Sequence, residues 1–314
     1  MNTLRQSVED YLRMRRNLGF KLIEVGNALP KFVTFMEQRN ALVITQSDAL
    51  EWAQLPQNVQ PAHWAARLSY VRGFARYRSA IDPRTQIPAS GLLPFQTKRS
   101  RPYLYTDEEI NRLLSATLNM PQYSESCALL PWVYYCLLGL LCVTGLRLGE
   151  ARNLTLQDVD LDAELITVRN AKFGKDRLVP LHSSTCEVLA NYLVRRQAHW
   201  GERAVSDYLF VSSWGNRLDS GQIYRAFHKI SRQIGLRGPN DSKGPRLHDL
   251  RHRFSTNTLV NWYKNEQDPE RLLPILSAYL GHVKVADTQW YLEASPELMS
   301  EAMKRLEKRW EDHS

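Results

Sequence analysis

The sequence lacks the cysteine patterns that build disulfide frameworks or zinc sites. Its four cysteines form no CxxC pair, and no set of cysteines and histidines has the spacing of a zinc site. The N-terminal stretch MNTLRQSVEDYLRMRR is charged from Arg5 onward and contains no apolar run of the kind found in secretory signals. We therefore expect reduced, mostly buried thiols in a cytoplasmic protein.

Long uncharged runs are also missing, with one exception between Cys127 and Leu146. These twenty residues carry no charge, and the run is long enough to span a membrane. Pro131 and Gly139 shorten its truly apolar part, and an arginine follows at once. We therefore expect a buried core helix that delivers Arg147, and no association with a membrane.

Acidic residues are scarce in the first third of the chain. Residues 1–99 contain 14 Lys and Arg against 7 Asp and Glu, and so hold +7 of the net charge of +8. This concentration of positive charge favours a polyanionic partner such as nucleic acid. The length of 314 residues, with 43% hydrophobic and 24% charged residues, predicts about two soluble domains.

Apolar residues at helical spacing predict a small helical bundle in the first hundred residues. The predicted helices cover residues 8–20, 29–36, 47–54 and 63–80. The last of these interleaves arginines with aromatic residues. A basic helical face is often only solvated, but the local charge excess favours contact with DNA. The candidate residues are Arg67, Arg72, Arg76 and Arg78.

A proline-rich, basic stretch from Asp82 to Pro102 then predicts a linker. It contains three further candidates for DNA contact, Lys98, Arg99 and Arg101. Thr106 and Glu109 have the spacing of a helix capping box, so a second domain should begin there. The predicted layout is a DNA-binding bundle over 1–95, a basic linker over 96–105, a catalytic domain over 106–295 and a C-terminal helix over 296–314.

The second domain should be mainly helical with one small antiparallel β-sheet. LITV (165–168) and RLVPL (177–181) are β-type runs, and the turn between them contains Gly174. The predicted fold class is therefore α+β, with helices dominating.

Residues suited to phosphodiester chemistry follow one another along this domain. They lie in the words TGLRLGE (144–150), KFGKDRLVPL (172–181), HDLRHRF (248–254) and LGHVKVADTQWY (280–291), and are Arg147, Lys172, His248, Arg251, His282 and Tyr291. Displacement at a phosphodiester increases negative charge on the phosphate oxygens, and Arg147 and Arg251 can each bind two of them. A tyrosine nucleophile, with an ordinary pKa of about 10, needs cationic neighbours or a base. His248 lies one helical turn before Arg251, so the two share a face.

In content, order and flanking residues these words resemble the active site of the tyrosine recombinase, or phage integrase, family. The resemblance covers about residues 101–295. It implies that Tyr291 attacks a DNA phosphate and forms a 3′-phosphotyrosyl link, with no metal, cofactor or ATP. It also implies that Lys172 protonates the leaving 5′ oxygen, with Lys175 as a rival. Glu150 follows Arg147 by one helical turn and would orient Arg147 or His248. Tyr279 is a weaker candidate nucleophile, because it precedes the LGH word that the family's tyrosine follows.

The same resemblance implies an architecture and a set of partners. The N-terminal bundle would be a core-binding, SAM-like domain, and the two domains would form a C-shaped clamp on double-stranded DNA. Four protomers would act together on two duplexes, with accessory or partner recombinase proteins in some systems. The opening YLRMRRNLGFKL is similar to the openings of recombinases from mobile elements. The sequence leaves open whether the task is integration, excision, transposition or the resolution of dimers and cointegrates.

The C-terminal segment predicts a helix with an apolar stripe. Ser295 suits the N-cap and Pro296 the first helical position. Met299, Met303, Leu306 and Trp310 follow at steps of 4, 3 and 4 residues. This stripe either packs inside the same chain or docks onto a neighbouring protomer.

Three other functions compete with a recombinase. A type IB topoisomerase uses the same kind of tyrosine site, and only strand exchange between two DNA sites separates the two. A metal-dependent transposase needs a triad of spaced carboxylates that nothing here resembles. A non-catalytic DNA-binding regulator would need neither Tyr291 nor the two arginines.

Overall fold

The computed structural model describes residues 3–96, 101–122, 124–169, 176–203, 205–282, 284–293 and 296–311. The chain divides into two compact units, residues 1–100 and 101–314. This division falls inside the predicted linker. Lys98, Arg99, Lys172 and Lys175 lie outside the described residues.

Unit 1 contains the predicted helical bundle. Its helices are α1 (Leu4–Asn17), α2 (Ile23–Gln38), α3 (Gln46–Gln54) and α4 (Pro61–Ser79). Phe32, Trp52 and Phe74 are buried at its centre, and the Phe32 and Trp52 rings meet edge to face at 5.2 Å. Helix α1 begins earlier than predicted because the Thr3 side chain accepts a hydrogen bond from the Gln6 amide and caps it.

Most of the predicted DNA-contacting arginines on α4 bind within the bundle. Arg67 donates to backbone carbonyls at the end of α3, and Arg72 donates to two carbonyls of the following segment, each at 2.7 Å. Arg78 is only 5% exposed and donates to Ser7 Oγ at 2.8 Å. The expectation of DNA contact therefore does not suit Arg78, since its guanidinium is buried. Arg76 is exposed and, like Arg101 at the start of unit 2, stays a candidate.

Unit 2 is helical around a small sheet. Its elements are α5 (Asp107–Leu118), α6 (Leu130–Thr144), α7 (Leu148–Ala151), β1 (Val159–Asp160), β2 (Leu165–Val168), β3 (Arg177–Pro180), α8 (Ser183–Trp200), α9 (Ser220–Gln233), α10 (Leu247–Lys264), α11 (Pro269–Leu280), α12 (Ala286–Gln289) and α13 (Pro296–Glu311). The strands are antiparallel in the order β1-β2-β3, with Val168 opposite Arg177. The mainly α fold with a small antiparallel sheet is confirmed. The predicted capping box is also present, because Thr106 and Glu109 exchange hydrogen bonds at the start of α5.

Helix α6 is the centre of unit 2. By length and composition the stretch Glu125–Thr144 is apolar enough to span a membrane, but most of it is buried inside the protein. Helices α5, α8 and α10 pack against α6, so the prediction of a core helix is confirmed. All four cysteines are free thiols and three of them are buried, which agrees with the sequence.

Helix α13 packs on α10 through only part of its surface. Leu298 is 2% exposed and shares a small apolar cluster with Leu259, Leu276 and Tyr291. Lys264 of α10 also forms an ion pair with a glutamate of α13. The residues of the predicted apolar stripe, Met299, Met303, Leu306 and Trp310, are 54%, 61%, 49% and 69% exposed. This exposure favours docking of the stripe onto a neighbouring protomer, which stays a prediction.

Candidate active site

A glycine turn at the end of α6 delivers the first arginine. Gly145 has a φ of 61°, in the left-handed region that side chains disfavour. A Cβ atom there would also lie 2.5 Å from the Phe254 ring of α10. Only glycine suits this position, so the chain can leave α6 and place Arg147 at the N-terminus of α7.

Arg147 points at the turn that follows α11. Its Nη1 atom donates to Glu150 Oε1 at 2.8 Å and to the Leu280 carbonyl at 3.3 Å. Its Nη2 atom donates to the Gly281 carbonyl at 3.2 Å. The Glu150 carboxylate is 8% exposed, whereas the Arg147 side chain is 27% exposed. The guanidinium is therefore held on one side and open to solvent on another.

Arg251 approaches the same turn from α10. It is 2% exposed, and it donates to the carbonyls of Gly145 and Leu280, each at 2.7 Å. Burial lowers the pKa of Arg251 from its ordinary value, while Tyr291 opposes that shift. A guanidinium keeps its proton even so. Two positive charges, from Arg147 and Arg251, therefore meet around the backbone of one turn.

His282 directly follows this turn and is held from both ring nitrogens. Gly281, with a φ of 65°, ends α11. The His282 Nε2 atom lies 2.8 Å from Arg251 Nη2, and Nδ1 lies 2.7 Å from Thr288 Oγ1. Because the arginine can only donate, Nε2 must accept and Nδ1 carries the proton. Burial and the charge of Arg251 lower the pKa of His282 to about 4, so the ring is neutral near pH 7.

Tyr291 lies among histidine rings. It is 3% exposed, and its ring is nearly parallel to that of His282, with centroids 6.0 Å apart. His252 contacts Tyr291 at 5.2 Å, Trp290 at 4.7 Å and His248 at 4.8 Å between ring centroids. The structure therefore brings together the histidines, the two arginines and the tyrosine that the sequence predicted.

His248 occupies the outer side of this group. His248 is exposed to solvent. Desolvation by neighbouring groups and the positive charge of Arg251 lower the pKa of His248 from 6.5. The imidazole is therefore mainly neutral near pH 7 and can accept a proton.

Comparison with known proteins identifies the family to which this chain belongs. The model of the phage integrase family matches residues 104–297, more than half of the chain. The chain belongs to the phage integrase family. It is 65% identical, over the whole length of both chains, to a putative integrase/recombinase, y4rB, of Sinorhizobium fredii. The protein is accordingly a site-specific recombinase of the tyrosine type.

Solved structures share the fold at lower identity. The XerH site-specific recombinase bound to its palindromic difH substrate is 20% identical, with a TM-score of 0.64 over 90% of this chain and 78% of that one. A lambda integrase tetramer bound to a Holliday junction is 17% identical, with a TM-score of 0.61 over 92% and 77%.

Two residues of this recombinase site, Arg177 and His252, were not predicted from the sequence. Arg177 binds the Glu150 carboxylate through two hydrogen bonds, at 3.2 and 2.8 Å. His252 contacts the rings of both His248 and Tyr291. Both stand in words already singled out, DRLVPL and HDLRHRF. A contact across 27 residues, however, has no periodic signal that would have revealed Arg177.

The structure separates two further candidates from the sequence analysis, Glu150 and Tyr279. Glu150 contacts Arg147 as expected, and no contact with His248 is present among the described residues. Tyr279 stacks on Phe254 with ring centroids 5.6 Å apart, and burial raises its pKa to about 12. These properties suit a core residue better than a nucleophile. In the described part of the chain, no three His, Cys, Asp or Glu side chains lie where they could hold a metal ion.

Proposed function

We propose that this recombinase cleaves and rejoins double-stranded DNA through a covalent link between Tyr291 and a 3′ phosphate. The observation that carries the proposal is the convergence of Arg147, Arg251 and His282 beside the Tyr291 ring. These groups come from helix ends far apart in sequence. Their meeting at one buried tyrosine is what attack on an anionic phosphate requires.

In the proposed reaction, the two arginines balance the charge that develops on the phosphate. A bond forms between the Tyr291 oxygen and phosphorus while the bond from phosphorus to the 5′ oxygen breaks. His248, which is exposed and mainly neutral near pH 7, is suited to take the tyrosine proton. Lys172, through the family resemblance, supplies a proton to the 5′ oxygen. The link keeps the energy of the broken bond, so a second 5′ hydroxyl can reverse it without ATP or metal.

The proposal extends to partners and location. Relatives of known structure include one bound to a DNA substrate and a tetramer on a Holliday junction. We expect four copies of this chain to act on two duplexes. We also expect the bundle over 1–95 and the basic linker over 96–105 to bind the DNA. The exposed stripe of α13 is suited to join neighbouring copies. The protein would work in the cytoplasm on nucleoid DNA, with accessory or partner recombinases where the system has them.

The test is trapping of the covalent adduct. Duplexes covering the DNA that flanks the source gene are incubated with the protein and a chelator, denatured and separated on a gel. We expect adducts with the wild type and none with Tyr291→Phe, while DNA affinity changes little because only one hydroxyl is lost. Tyr279→Phe is the matched control, and it should keep forming adducts.

The same substrate separates the competing functions. A duplex that yields adducts is mixed with a second labelled duplex, and exchanged strands are scored. Strand exchange identifies recombination, whereas relaxation of supercoiled DNA without exchange identifies a topoisomerase activity. Specific binding without any adduct would contradict the proposal in favour of a regulator.

A further inference from the structure

Arg177, the first residue of β3, lies beside the active site without belonging to its predicted set. Its side chain is 11% exposed, and each of its three guanidinium nitrogen atoms donates a hydrogen bond. Nη1 and Nη2 bind the two oxygens of Glu150 at 3.2 and 2.8 Å, and Nε donates to the Tyr279 carbonyl at 2.7 Å. A planar fork on a carboxylate is the strongest geometry available to such a pair.

These contacts join the two supports of Arg147. Glu150 binds the Arg147 guanidinium directly, at 2.8 Å. The Tyr279 carbonyl belongs to the last turn of α11, just before the Leu280 and Gly281 carbonyls that also receive Arg147. Arg177 thus binds one partner of Arg147, Glu150, directly, and it holds the α11 backbone next to the carbonyls that form the other partner.

Gly281 shows how closely Arg177 fits the turn. A Cβ atom on that residue would lie 3.0 Å from Arg177 Nη1 and 3.5 Å from Arg147 Nη1. Its positive φ already favours glycine. Both guanidiniums therefore pack against the same glycine, and both donate to Glu150.

Charge gives the contact a consequence for catalysis. Burial alone would raise the pKa of Glu150, but the hydrogen bonds and charges of Arg177 and Arg147 reverse the shift, so the carboxylate stays ionised. With Arg147 as its only partner, this anion would neutralise the arginine that should meet the phosphate. With Arg177 present, the three groups together carry one net positive charge.

We propose that Arg177 is a positioning residue that neutralises and orients Glu150, so that Arg147 keeps its charge and direction for the scissile phosphate. Arg177 itself does not touch the phosphate. The inference rests on the proposed function, because it assumes that Arg147 binds a reacting phosphate.

The test compares Arg177→Met with a matched substitution on the same hairpin. Arg169 follows β2 and pairs with Asp158 at 2.7 Å, but it is 58% exposed and makes no described contact with the active site. We expect Arg177→Met to slow single-turnover cleavage at saturating protein by at least about 10-fold, as loss of a supporting contact typically does. Arg169→Met should cleave like the wild type.

A neutral substrate separates positioning from general damage to the fold. Methylphosphonate at the cleavage site removes one negative charge from the phosphate, so less positive charge is needed to balance it. The deficit of Arg177→Met relative to wild type should shrink to within about 3-fold on this substrate. An equal deficit on both substrates would overturn the inference and assign Arg177 a purely structural task.

Arg177→Lys and the double variant Arg177→Met/Glu150→Gln guard against simple misfolding. The lysine keeps the charge without the fork and should cleave faster than Arg177→Met. Arg177→Met leaves the buried Glu150 carboxylate with only one of its two arginine partners, whereas the double variant has no buried carboxylate at this position. The unfolding midpoint of the double variant should therefore exceed that of Arg177→Met. If the wild type forms no adduct, the proposed function fails. If it does and Arg177→Met matches Arg169→Met, only the role of Arg177 fails.

Discussion

Acid should destabilise unit 2 through its buried histidines. Burial and the neighbouring His248 lower the pKa of His252 from 6.5 to about 3, and burial and Arg251 lower that of His282 to about 4. Both pKa values are lower in the folded state, so the unfolded chain takes up protons first. The stability that these histidines contribute is fully present above about pH 6.5, the ordinary pKa of histidine. It is lost progressively as the pH falls from there towards the folded pKa values.

The magnitude follows from the distance in pH. One pKa unit corresponds to 1.36 kcal/mol, so at about pH 5 the unfolded state gains roughly 2 kcal/mol from His252, which is 5% exposed. His282 is partly exposed, and solvent reduces its contribution to roughly 1 kcal/mol. Together the two histidines should remove about 3 kcal/mol, a large share of the 5–15 kcal/mol that is typical of proteins.

Urea unfolding at about pH 7.5 and about pH 5, with wild type and His252→Phe, measures this effect. The phenylalanine keeps ring contacts with Trp290 and Tyr291, and Nδ1 of His252 has no hydrogen-bond partner to lose among the described residues. The variant should lose roughly 2 kcal/mol less than wild type between the two pH values. His63→Asn, on the exposed side of α4 in unit 1, is the control. Equal losses in wild type and His252→Phe would refute the reasoning.

Four further outcomes are expected. Gly145→Ala should destabilise the protein by about 2–4 kcal/mol and slow cleavage, because the new Cβ atom meets the Phe254 ring and the residue has a positive φ. Thermal unfolding measures the loss of stability, and adduct formation measures cleavage. Leu298→Ala should cost about 2–5 kcal/mol by opening a cavity against α10, seen in urea unfolding. Met303→Glu should leave that stability unchanged, because the side chain is exposed, and should reduce assembly on DNA in sedimentation. Arg76→Ala should weaken DNA binding and lower its salt dependence by about one phosphate contact in filter-binding titrations.

Much of the fold was predictable because its signals are local. The capping box at Thr106, the β-type runs on either side of Gly174 and the uncharged run of α6 each lie within one element. The ends of α1 and α2 were placed less well, since helix ends depend on caps such as Thr3 that weigh little in a periodic pattern.

The sequence did not show which arginines of α4 are buried and which are exposed to solvent. Arg67, Arg72, Arg76 and Arg78 share one helix and similar neighbours. Arg78 is nonetheless buried on Ser7 of α1, while Arg76 faces solvent. Which arginine meets a carbonyl is decided by the helices that pack beside α4.

The sequence by itself determined the family and the six residues predicted to carry the chemistry, because residue type and order suffice to identify a tyrosine that accompanies two arginines. Only the tertiary structure decided how five of those six meet and which protons they carry; Lys172 lies outside the described residues. The tautomer of His282 depends on Arg251 and Thr288, and the charge near Arg147 depends on Arg177. Burial and long-range contacts set these properties, and neither is written in a local pattern.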